Sequence, residues 1–137
     1  MTYSIDQVPE SYRPYAYRNA ILAELGYQSY TKYLMSPVWT QIRLQVFKRH
    51  GGQCYVCHKT ATEIHHKSYT VPILKGEELG YLVPLCRGCH HFIEFEHGEK
   101  RRLKHANLVL KRMYRKRHPK LGRHGIKAIK RYDKVIQ

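Results

Sequence analysis

The chain has no apolar run long enough to span a bilayer, and its opening stretch, MTYSIDQVPESYRPY, lacks the apolar core of a secretory signal. Both absences argue against an exported or membrane-embedded protein. The expected setting is cytoplasmic, the host cytoplasm if the chain is phage-encoded. Cysteine is absent everywhere except between positions 54 and 89. Acidic residues are scarce, 10 Asp and Glu against 25 Lys and Arg, and only two of the 10 lie after Gly98. With 15 of the 25 basic residues in that same final segment, nearly all of the net charge of +15 sits there. No lipid anchor or long apolar face accompanies it, so the polyanion it suits is nucleic acid.

The four cysteines form two C-x-x-C pairs, Cys54 with Cys57 and Cys86 with Cys89, separated by 28 residues. Thiolates at i and i+3 in a tight turn present two sulfurs from one side, and two such turns complete a tetrahedron, so the spacing reads as one structural zinc per chain. A thioredoxin-like redox motif needs one such pair rather than two, and disulfides belong to secreted chains. A stretch this short closes its core poorly alone, which makes zinc binding part of its folding energy.

Inside this frame the chain carries Glu63-Ile64-His65-His66-Lys67-Ser68-Tyr69, and Cys89 is followed directly by His90 and His91. Together with Trp39, Ile42-Arg43, Val46-Phe47, Arg49 and Gly51 before the first knuckle, and Leu82-Val83-Pro84-Leu85 before Cys86, the stretch from Trp39 to Glu94 resembles the HNH endonucleases with a four-cysteine zinc knuckle, members of the His-Me finger (ββα-metal) nucleases. That resemblance covers under half of the chain. It implies an α+β fold: a small ββα-metal core stapled by the zinc, flanked here by N-terminal helices and a basic helical C-terminal extension. It also implies DNA hydrolysis leaving 5′-phosphate and 3′-hydroxyl ends.

Hydrolysis of a phosphodiester needs a base for the water and a cation for the leaving oxyanion. Residues 62–66 read as a strand, whose successive side chains face opposite sides, so one metal is not chelated by both histidines. One imidazole is then free to take a proton near neutral pH. The resemblance assigns His65 to the metal and His66 to the base. His90 and Glu94, four residues apart, would share a helical face and complete the ligand set. Many family members have His or Asn at the Glu94 position. The carboxylate favours magnesium or manganese, with nickel or zinc as alternatives. Tyr81 stands where the family often has Asn or Asp, which leaves the middle letter of HNH unfilled.

The flanks follow from periodicity and capping. Residues 1–36 hold seven of the 12 tyrosines; Ala20–Leu25 reads as a short helix ending at Gly26 and Tyr27–Leu34 as another turn or two, with Tyr30, Tyr33 and Leu34 at helical spacing expected to pack onto the domain, base stacking by tyrosine being the alternative. Ser36-Pro37 opens a helix that buries Trp39, Ile42, Val46 and Phe47 and stops at Gly51-Gly52. Residues 62–66 and 81–85 are expected to pair antiparallel, joined by a loop from Lys67 to Gly80 kept irregular by Pro72, Gly76 and Gly80. Residues 100–117 read as a helix with Leu103, Ala106, Leu110 and Met113 on one stripe, and Ile126–Ile136 as a second. The organisation is thus 1–36, a Tyr-rich helical extension; 37–98, the nuclease domain; and 99–137, a basic nucleic-acid-binding extension. Within the last, Lys100, Arg101, Arg102, Lys104, Lys111, Arg112, Arg115, Lys116 and Arg117 are the candidate phosphate contacts. The expected partner is double-stranded DNA, though composition does not separate it from RNA. A non-catalytic, zinc-stapled DNA-binding module is the alternative, and the paired histidines with Glu94 are what it leaves unexplained.

Overall fold

The structure, a computed structural model, describes residues 13–119. The expected helix at Ile126–Ile136 lies outside them. Helix α1 (Arg13–Glu24) starts earlier than the sequence pattern suggests and ends where Gly26 takes a left-handed φ of +93°. Helix α2 (Tyr30–Leu34) is capped by the Ser29 side chain, and α3 (Pro37–Arg49) by Ser36, whose Oγ accepts from Trp39 N at 3.2 Å. Pro37 at the first helical position forgoes only an N–H that would have no partner. Gly51 and Gly52, both at positive φ, end α3, with Gly52 N donating to Phe47 O.

Strand β1 (Glu63–His66) pairs antiparallel with β2 (Leu82–Leu85), His65 opposite Val83 and His66 opposite Leu82. The connection between them is not an irregular loop. Val71–Lys75 forms a short helix, α4, with Thr70 as N-cap, Pro72 in its first turn and Gly76 as a left-handed C-cap. The residues that look like helix breakers are its start and stop signals. Helix α4 buries Ile73 and Leu74, and Leu74 O receives the Tyr33 hydroxyl at 2.7 Å. Gly76 is obligatory on two counts, its φ of +81° and the 2.8 Å that would separate an added Cβ from Ile42.

Two apolar clusters flank the β1–β2 ribbon. The first joins Leu22, Tyr33, Trp39, Ile42, Val46, Ile64, Ile73, Leu74 and Leu82. The second joins Cys54, Val56, Val83, Leu85 and Ile93 to Val109 and Leu110. Ile93 belongs to α5 (Arg87–Glu94), which follows β2 directly. The last two belong to α6 (Leu103–Arg117), reached through a hairpin of β3 (Phe95–Glu96) and β4 (Glu99–Lys100). Its two-residue turn, His97-Gly98, has both residues at positive φ, the requirement of a type I′ turn.

Helix α6 is therefore core as well as basic surface. Leu103, Ala106, Val109 and Leu110 are buried, each large one worth about 1.5–3 kcal/mol. Cutting the chain at residue 99 would strip the second cluster of its cover. The described residues thus form a small mixed α+β protein with two two-stranded sheets. None of its described helices is long and apolar enough to cross a membrane.

Candidate active site and metal centres

Strand β2 delivers Cys86 to the start of α5, where its Sγ accepts from Cys89 N at 3.4 Å; the helix turn then places Cys89 beside it. On the other side, Cys54 N bonds to Lys59 O and His58 N to Cys54 O, closing a knuckle in which His58 holds φ at +65°. The four sulfurs all lie within 4.8 Å of one another, and Cys57 Sγ is 3.6 Å from Cys86 Sγ. A disulfide is about 2.05 Å long, whereas sulfurs arranged tetrahedrally about zinc at about 2.3 Å are about 3.8 Å apart. The spacing is that of metal ligands. Burial and the neighbouring sulfurs hold the Cys57 and Cys89 thiols above their ordinary pKa. Burial also opposes ionisation of Cys86, but the Cys89 N–H and the other thiols outweigh it and bring that group to about 7. Four thiolates need a cation among them, and zinc fits this donor set.

A second ligand cluster lies on the neighbouring face of α5. Donor atoms of His65, His90 and Glu94 also fall within 4.8 Å of one another. His90 Nδ1 bonds to Glu63 Oε1 at 2.8 Å, which orients the ring. Its Nε2 lies 3.0 Å from Glu94 Oε1 yet is buried and out of line for a hydrogen bond. His65, His90 and Glu94 thus converge closely enough to hold a cation between them. Burial depresses the charged form of His90, but Glu94 and Glu63 outweigh it and raise its pKa. Burial pushes Glu94 the other way from its net shift, which His90 turns downward.

As the pleat requires, His66 lies on the opposite face of β1 from His65. Its ring is stacked between Trp39 (centroids 5.1 Å apart) and Tyr69 (4.9 Å), with Nδ1 3.4 Å from Tyr30 Oη and Nε2 buried without a partner. Burial above all, then the neighbouring His65, lowers its pKa to about 3; burial likewise takes His65 to about 4, the Asn107 contact opposing. Both rings are neutral at physiological pH.

His66, His90 and Glu94 line one open cleft of about 390 Å³, together with Arg18, Arg43 and Lys100. Sequence spacing singled out Lys100 but not the two arginines. Arg18 reaches the cleft from α1, its guanidinium 3.8 Å above the Tyr30 ring. Of the other basic candidates, Arg102, Lys104, Lys111, Arg112, Arg115, Lys116 and Arg117 are exposed, whereas Arg101 is largely buried and pairs with Glu96 at 3.6 Å. His91 stacks on Phe95. Tyr81 contributes its backbone, accepting from Lys67 N at 2.8 Å, and the chain just after His66 is braced by Asn107, whose Nδ2 donates to Lys67 O. Trp39 and Tyr69 lie within the stretch that carries the family resemblance, without a role at this site being read from it, and neither Asn107 nor Tyr30 carried a sequence signal for the site. Comparison with known protein families, with curated proteins and with solved structures found no match.

The buried histidines set a pH dependence of stability. Their folded pKa values lie below the ordinary 6.5, so the unfolded chain binds more protons between 6.5 and the folded values. Their contribution is complete above pH 6.5 and is lost as the pH falls toward about 4 and then about 3. Each costs up to about 1.4 kcal/mol per pH unit in that window. Urea unfolding at saturating zinc is expected to weaken steeply from pH 6.5 to 5, and His66→Phe to be shallower by one proton's worth. Identical slopes would mean that the His66 ring titrates in the fold as it does in water.

Proposed function

We propose that the protein is a metal-dependent endonuclease of the HNH (His-Me finger) type, hydrolysing phosphodiester bonds of double-stranded DNA. The observation that carries this reading is the division of neighbouring histidines: His65 joins His90 and Glu94 in a ligand cluster while His66 lines the same cationic cleft as a neutral ring. A ribbon, β1–β2, followed by a helix, α5, that carries these groups supports the reading. A divalent ion held by His65, His90 and Glu94 would neutralise charge on the leaving oxygen, and the carboxylate favours magnesium or manganese.

The chain's own groups do the rest. Arg18, Arg43 and Lys100 draw the phosphate into the cleft, and the exposed cations of α6 hold the flanking backbone. For His66 Nε2 to accept a proton from water, Nδ1 must carry one and donate it to Tyr30 Oη, the contact seen at 3.4 Å. A base with so low a proton affinity is weak until the anionic phosphate enters, whose charge raises it. The stacked rings of Trp39 and Tyr69 keep the imidazole in one plane while this happens.

Purified full-length protein with supercoiled plasmid and each of magnesium, manganese, nickel and zinc is expected to give nicked or linear DNA only when a divalent ion is added. No conversion with any ion, alongside plasmid binding, would replace this reading with a zinc-stapled DNA-binding module.

A further inference from the structure

One side chain closes the ligand cluster from the α6 side. Asn107 Nδ2 donates to Lys67 O at 2.9 Å, and its Oδ1 lies 2.7 Å from His65 Nε2. A backbone carbonyl can only accept, so the amide has one orientation, with its NH₂ toward Lys67 and its oxygen toward His65. An amide oxygen can also only accept. His65 Nε2 must therefore carry the ring proton, and Nδ1 is left with the free lone pair.

We propose that Asn107 is a positioning residue that holds His65 in its Nε2–H tautomer and offers Nδ1 to a divalent cation shared with His90 and Glu94, making α6 part of that site. The proposal rests on reading this cluster as the cation site of the endonuclease. Its physical basis is general: the imidazole nitrogen that does not ligate usually donates to an acceptor, which fixes the ring's direction, and removing such an acceptor costs about 10–100-fold in metal affinity. Here the acceptor is built firmly. Ala106, Val109 and Leu110 are buried on either side of Asn107 along α6, so the backbone carrying the amide is anchored in the core. Both of its bonds reach residues 40 or more positions earlier in the chain. The bond to Lys67 O also steadies the end of β1, beside His66, at the place where Tyr81 supplies no side-chain amide.

Two measurements on zinc-loaded, full-length protein test this without nucleic acid. Imidazole ¹⁵N chemical shifts in the wild type are expected to show His65 protonated at Nε2 and not at Nδ1. Manganese titration is expected to show Asn107→Ala binding about 10–100-fold more weakly than wild type, with the His65 tautomer no longer fixed. Asn107→Asp, which keeps an oxygen facing Nε2–H, is expected to bind more tightly than Asn107→Ala and to retain the tautomer. A wild-type His65 protonated at Nδ1, or an Asn107→Ala protein that binds manganese as tightly as wild type, would overturn the assignment. The wild-type tautomer decides the question even where Asn107→Ala fails to fold. Protein that meets both expectations yet never cuts DNA would remove the nuclease reading and leave the role of Asn107 standing.

Discussion

Replacing His66 by Phe is expected to lower turnover about 10²–10⁴-fold, the usual worth of a positioned proton transfer, while zinc content and DNA affinity stay at wild-type levels. Phe is the informative substitution because the imidazole is a packed ring between Trp39 and Tyr69 as well as the proposed base. His66→Ala would empty that slot and mix a packing loss of a few kcal/mol with the chemical one. Phe keeps a ring in place and removes both nitrogens. His65→Ala and Glu94→Ala should fail differently, since each removes a member of the proposed cation site. Raising manganese is expected to restore part of their activity, and none of that of His66→Phe. A His66→Phe protein that nicks plasmid at the wild-type rate would show that the base is some other group.

Loss of the four-sulfur site should have the largest effect on stability. Structural zinc in small domains contributes about 10–16 kcal/mol of apparent binding energy, against a total stability of about 5–15 kcal/mol for a typical domain. Here the site ties the end of β2 and the start of α5 to the 54–57 knuckle, and Cys54 belongs to the same apolar cluster as Ile93, Val109 and Leu110. Without the cation, burial and the neighbouring sulfurs favour the protonated form of Cys57 and Cys89, and the four sulfurs lose the ion that would hold them within 4.8 Å of one another. Cys86→Ala loses a zinc ligand and the side-chain cap of α5 together. Elemental analysis is expected to find one zinc per chain, and both Cys86→Ala and exhaustive chelation to abolish cooperative melting. Folded, zinc-free protein with an unchanged melting curve would contradict this.

The features legible in the sequence are those settled by neighbours in the chain. Two C-x-x-C pairs present sulfurs in pairs whatever surrounds them, a Ser-Pro start and Gly-Gly stop bound α3, and the apolar stripe of α6 is a matter of helical period. The antiparallel pairing of 62–66 with 81–85 followed from two β-forming stretches lying between the knuckles. Pro72 and Gly76 were equally visible but ambiguous, because the residues that interrupt a helix in its middle are the ones that start and end it. Burial of Ile73 and Leu74 against the first cluster decided for a helix. The surroundings of His65 and His66 were decided by tertiary structure alone. Trp39, Tyr30, Tyr69, Arg18 and Asn107 come from five separate segments, and no local preference distinguishes a tyrosine that stacks on an imidazole from one that packs elsewhere. A single side chain's backbone conformation depends on its immediate neighbours, but the direction of a ring nitrogen depends on which distant donor or acceptor the packed core brings to it. Asn107 meets His65 because four apolar residues of α6 seat that helix beside the β1–β2 ribbon.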